Sequence, residues 1–85
     1  MVSFMYVITD EMGIHARPAG LLVKEVKKYN SAVSLQCEGK TADAKRIIAI
    51  MGLGIKKGQE IKITIEGADE EDAAAALKAF LQASL

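Results

Sequence analysis

The sequence predicts an α+β domain of two layers, with helices packed on one face of a mostly antiparallel sheet. Three observations carry this. Apolar periodicity along the chain reads as strand, helix, strand, strand, short helix, strand, helix, an order for which two-layer packing is the economical solution. The 85 residues are 51% apolar and 26% charged, enough for one core and too apolar for a disordered chain. A single Cys37 and a single His15 exclude a disulfide framework, a zinc finger and any Cys/His metal cage, so burial alone must hold the fold. At this size burial exceeds chain entropy only slightly, and an apolar side chain left outside needs a reason.

The first strand covers residues 2–9, rich in β-branched and aromatic side chains though imperfectly alternating, and ends at Asp10. From Ala16 to about Lys28, Ala19, Leu22, Val23 and Val26 recur at helical spacing, with Lys24, Lys27 and Lys28 on the wetter face. Val33, Leu35 and Cys37 alternate with Ser34 and Gln36 as a half-buried strand, and Glu38-Gly39-Lys40 turns the chain into a short partner ending near Asp43. A short helix over Lys45 to Leu53 stops at Gly54, with more apolar residues than one face can hide. Ile61, Ile63 and Ile65 alternate with polar residues in the clearest strand of the chain. Asp69 is placed to cap the last helix, followed by Glu70, Glu71 and Asp72 where the helix dipole favours anions. Ala73, Leu77, Phe80 and Leu81 form its buried stripe. No repeat, linker or low-complexity tract interrupts residues 1–85, which read as one domain.

Charge narrows the partners. Eleven Lys and Arg balance eleven Asp and Glu, yet residues 17 to 62 carry ten cations against four anions. An excess of six, with few aromatics, is too weak for a nucleic-acid surface and suits an anionic protein or a phosphate. The start of the chain has no basic segment before its apolar run and no stretch long enough for a membrane span, so a reducing, cytoplasmic setting is expected, without membrane insertion.

The constellation that carries chemistry is Gly13-Ile14-His15-Ala16-Arg17-Pro18-Ala19. Proline is accommodated in the first turn of a helix, where its missing N–H costs nothing, so the helix begins within about three residues before Pro18. His15 then lies at or near the N-cap, facing free backbone N–H groups and a positive field that favours the neutral, nucleophilic ring. Arg17 can bring a planar fork of donors to the same anion. A lone histidine also has ordinary uses as a surface or capping residue; the Arg and the proline-fixed helix start weigh toward function.

These residues resemble the active-site signature of the HPr family, the histidine-containing phosphocarriers of the bacterial phosphoenolpyruvate-dependent sugar phosphotransferase system. Ile50-Met51-Gly52-Leu53-Gly54-Ile55 and Gly67-Ala68-Asp69-Glu70 resemble two further family segments at the family's spacing. The resemblance implies an open-faced β-sandwich with strand order 1-4-2-3 and the helices on one side. It implies that His15 accepts a phosphoryl group on Nδ1 from phosphorylated Enzyme I and passes it to Enzyme IIA. Arg17 would steady the charge in transfer, and the Ala16 and Arg17 backbone N–H groups would cradle the oxygens. The protein would be a relay with a transient phosphohistidine, monomeric, without metal or cofactor, rather than a turnover enzyme on its own.

The surplus apolar residues of the short helix fit this reading. Ile50 and Leu53 can pack inward while Ile47, Ile48 and Met51 form an exposed docking patch, extended by Gly20 and Leu21 and rimmed by Lys24 and Lys27. The alternative is that these isoleucines are core. Arg46 departs from the pattern: many family members carry there a serine that a kinase phosphorylates, and Arg46 has no hydroxyl, so that regulatory role does not transfer. Two other readings stand beside the relay. One is an HPr-like adaptor that docks to a regulator or enzyme without relaying phosphate; the other is a small ligand-sensing module.

Overall fold

In a computed structural model describing residues 1–85, the elements follow in the expected order: β1 (Val2–Val7), α1 (Ala16–Val26), β2 (Ala32–Cys37), β3 (Lys40–Asp43), α2 (Ile47–Gly52), β4 (Glu60–Glu66) and α3 (Glu70–Ser84). The strands form one antiparallel sheet in the order β1-β4-β2-β3, with the helices covering one face. Both are as expected.

Central position falls to β4 because its three isoleucines are the strongest inward face available. Ile61, Ile63 and Ile65 are each exposed by 1% or less, and fully burying one such side chain contributes about 1.5–3 kcal/mol. Phe4 of β1 and Leu35 of β2 flank Ile63 from its two sides. Leu22 and Val26 of α1, Ile50 of α2 and Ala73, Leu77 and Leu81 of α3 close the core from the helical layer.

Each boundary that differs from the sequence pattern does so because a loop claims the backbone. The first strand ends at Val7, not Thr9: Ile8 N–H donates to the Gln59 carbonyl, and the Thr9 and Asp10 N–H groups turn to the Leu85 oxygen at 2.6 and 3.0 Å. Within β1 the alternation is regular. Met5 and Val7 blur it in the sequence because they are apolar yet point to the open face of the sheet. The first helix closes at Val26, where Lys28 and Tyr29 donate to carbonyls three residues back and tighten the turn. The β2–β3 hairpin turns on Glu38 and Gly39 alone, both at positive φ (49° and 80°), the two-residue geometry whose twist matches the strands.

The short helix runs from Ile47 to Gly52 rather than from Lys45 to Leu53. Asp43 takes the preceding donors: its side chain accepts from Lys45 N–H at 2.9 Å and its carbonyl from Arg46 N–H at 3.1 Å. Asp69 does occupy the N-cap of α3, but its side chain caps nothing. The carboxylate instead accepts from the hydroxyl of buried Ser31 and from Asn30 N–H, tying the α1–β2 loop to the start of α3. The Ser31 hydroxyl, then the Asn30 N–H, hold the Asp69 carboxyl below its usual range. Phe80 is half-buried rather than buried and packs against the core, and Ala74 joins Ala73, Leu77 and Leu81 in the buried stripe. Cys37 is a buried free thiol, pushed up by burial and then by the Glu38 charge.

Candidate functional site

The loop between β1 and α1 is held at both ends before it delivers its histidine. Leu85 anchors Thr9 and Asp10; Gly13 N–H then closes a turn onto the Asp10 carbonyl at 2.9 Å, and Met12 N–H donates to Asp10 Oδ1 at 2.8 Å. Asp at the first position of a turn and Gly at the fourth is a favoured pairing. On its far side the loop presses against the segment leading to β4. Ile14 N–H donates to the Ile55 carbonyl at 3.1 Å, and Gly13 sits at φ 67°, so close that a Cβ would lie 2.2 Å from the Ile55 oxygen. No other residue fits there.

That strap fixes where α1 begins. His15 is its N-cap, in extended conformation, and its carbonyl accepts the first helical bond from Ala19 N–H at 2.9 Å. The imidazole makes no capping hydrogen bond and is 33% exposed. Ala16 and Arg17 are the first two helical residues, whose N–H groups have no intrahelical acceptor, and Pro18 after them has no N–H. The helix start therefore presents its free donors beside the ring. Arg17 is exposed and makes no ion pair. Asp10, in the loop after β1, has Oδ1 3.7 Å from His15 Nε2. The Asp-x-x-Gly turn signal could have marked it.

The residues assigned to docking lie on α1 and α2 as follows. The two helices approach at Gly20, where a Cβ would sit 3.7 Å from Ile47 Cδ1. Leu21 (49%), Ile47 (38%), Ile48 (81%) and Met51 (38%) are exposed, whereas Ile50 is fully buried and Leu53 packs partly against the core. The core alternative for Ile47, Ile48 and Met51 is thus excluded by their exposure. Met12, in the histidine loop, is also exposed and was not singled out by its sequence context. Lys24 and Lys27 are exposed without a carboxylate partner, while Lys28 is engaged by Glu25 and Lys57 by Glu11. Arg46 is the N-cap of α2, exposed, extended and without a capping bond. No helix is long and apolar enough to cross a membrane.

Residues 2–83 match the family model described as the PTS HPr component phosphorylation site. Among solved structures, the chain is similar to the histidine-containing phosphocarrier protein of Mycoplasma, at 36% identity over 98% of this chain and 94% of that one, with a TM-score of 0.95. Phosphocarrier protein HPr of Bacillus anthracis str. Ames is 40% identical over 95% of this chain and 96% of its own, with a TM-score of 0.88. Crh, the catabolite repression protein of Bacillus subtilis, is 34% identical over 100% and 98%, with a TM-score of 0.79, and is described as a dimer with a swapped domain.

Proposed function

The chain belongs to the HPr family of phosphotransferase-system components, and we propose that it relays a phosphoryl group through His15. The group arrives from phosphorylated Enzyme I, ultimately from phosphoenolpyruvate, and leaves for the Enzyme IIA part of a sugar permease. One observation carries this reading: His15 stands at the N-cap of α1 with its ring free of capping bonds, beside the unsatisfied N–H groups of Ala16 and Arg17.

Phosphoryl transfer passes through a loose, in-line transition state, in which positioning and charge stabilisation are most of what a protein contributes. The Ala16 and Arg17 N–H groups receive two phosphoryl oxygens, and the Arg17 guanidinium swings onto the charge as it develops. Neither holds the group covalently or encloses it, which suits a phosphate that must leave again. Docking uses the apolar faces of Leu21, Ile47, Ile48 and Met51 around Gly20, with Lys24 and Lys27 meeting acidic side chains of the partner. The protein acts as a cytoplasmic monomer.

Incubation with Enzyme I and phosphoenolpyruvate should give one acid-labile phosphoryl group per chain, transferable to Enzyme IIA and absent in His15→Ala. A chain that gains no such group, or gains it without His15, refutes the relay. The likeness to Crh supports a second reading, an adaptor that docks through α1 and α2 without relaying phosphate. It predicts partner binding indifferent to His15→Ala, and sedimentation would show whether the chain pairs.

A further inference from the structure

Two acids precede His15 in its loop, and they are used differently. Glu11 is engaged by Lys57, with Oε1 2.6 Å from Nζ. Asp10 has no cationic partner other than the His15 ring, whose Nε2 lies 3.7 Å from its Oδ1. Its position is firmly set: its N–H donates to the Leu85 oxygen, its carbonyl accepts from Gly13 N–H, and its side chain accepts from Met12 N–H. At 3.7 Å the pair is not yet a hydrogen bond, but contacts of this kind tighten when a complex forms.

We propose that Asp10 is a positioning residue for His15: its carboxylate faces Nε2, keeps the ring proton there, and leaves the Nδ1 lone pair to attack phosphorus. The assignment rests on the relay reading for its consequence, and on the Asp10–His15 geometry for its cause. In the step itself, the Nδ1 lone pair forms the N–P bond while the bond from phosphorus to the donor atom breaks, its electron pair leaving with the donor. The proton remains on Nε2. The ring thereby gains a positive charge, and a fixed carboxylate beside Nε2 stabilises it without having to accept the proton. An imidazole oriented through one nitrogen so that the other can react is a recurrent arrangement.

The test compares the wild type with Asp10→Asn, whose amide oxygen can still accept Met12 N–H and preserve the turn, and with Asp10→Ala. Nitrogen-15 NMR of the imidazole at alkaline pH reads which nitrogen carries the proton. Expected is a protonated Nε2 in the wild type, with the two nitrogen shifts moving toward each other in both variants as the tautomers mix. Phosphorylation by Enzyme I should slow about tenfold in Asp10→Asn, the lower end of what removing a group that orients a functional ligand costs. Ring shifts in Asp10→Asn identical to the wild type overturn the proposal, as does an unchanged rate. If Enzyme I leaves even the wild type unphosphorylated, the relay reading fails, and the ring shifts alone decide whether Asp10 sets the tautomer.

Discussion

Replacing Gly13 by Ala should damage both stability and phosphoryl acceptance, and the structure says how much comes from where. At φ 67° an alanine carries a left-handed backbone penalty of about 1–2 kcal/mol. Its Cβ would also stand 2.2 Å from the Ile55 oxygen and 2.7 Å from Lys56 Cα. Both are backbone atoms, so the strain cannot be relieved by a side-chain rotation; the two segments must separate. Separation breaks the Ile14–Ile55 hydrogen bond, worth about 0.5–1.5 kcal/mol net, and begins to expose two buried isoleucines. The sum is about 2–4 kcal/mol, and in a domain of this size each kcal/mol moves the melting temperature by roughly 4–8 °C.

Gly39→Ala supplies the control. Its φ of 80° imposes similar strain, but nothing lies within 4 Å of its Cβ, and it sits in the hairpin away from His15. Chemical denaturation should therefore rank the variants wild type, Gly39→Ala, Gly13→Ala. With Enzyme I and phosphoenolpyruvate, only Gly13→Ala should be phosphorylated more slowly. Equal stability of the two variants, or undiminished phosphorylation of Gly13→Ala, would refute the idea that this contact places the histidine.

Three further outcomes can be checked. Ile50→Ala, at a fully buried site, should lose about 2–5 kcal/mol in urea unfolding, whereas Ile48→Ala, 81% exposed, should unfold within about 0.5 kcal/mol of the wild type and bind Enzyme I more weakly by calorimetry. Arg46→Ser places a capping hydroxyl at the start of α2, where the Arg side chain makes no capping bond, and should gain about 1 kcal/mol in the same unfolding assay. Asp69 has a lowered folded-state pKa, so its contribution is present above its unfolded titration near pH 4 and is lost as pH falls through the lower folded value. The gap in urea midpoint between wild type and Asp69→Asn should be constant above about pH 5 and narrow on further acidification.

What could be read in advance follows the range of the interactions involved. The Ile61-Ile63-Ile65 alternation, the Pro18 position and the Glu38-Gly39 turn are local, and each led to the element now seen, with His15 at the head of α1. The strand order came from the family signature, since periodicity alone says nothing about which strand pairs with which; the role proposed for His15 rests on that same signature. Two departures arise where a distant residue competes for a local group. Asp69 is an ideal capping residue by type, yet Ser31 and Asn30, nearly forty positions earlier, take its carboxylate. Thr9 looks like strand until Leu85 claims its N–H. Asp10 differs: the turn that holds it is local, closed by Gly13 and Met12, but its significance lies in where that turn aims it, toward the His15 ring.

The same long-range contacts explain how so small a domain can keep a reactive group in the open. On the proposed relay, His15 has to be reachable by two different proteins in turn, so nothing can cover it, and an uncovered loop is ordinarily the least stable part of a fold. Here order is imposed from behind. The Leu85 oxygen holds the loop where it leaves β1, the Ile55 carbonyl holds it where it enters α1, and a glycine permits the second contact. The front consists of what an incoming anion needs: a ring, two free N–H groups, and cations such as Arg17 and Lys24 that no carboxylate of this chain has claimed. Pairing those cations internally would add little, since exposed ion pairs contribute about 0–1 kcal/mol, and it would remove the charges that an acidic partner is steered by.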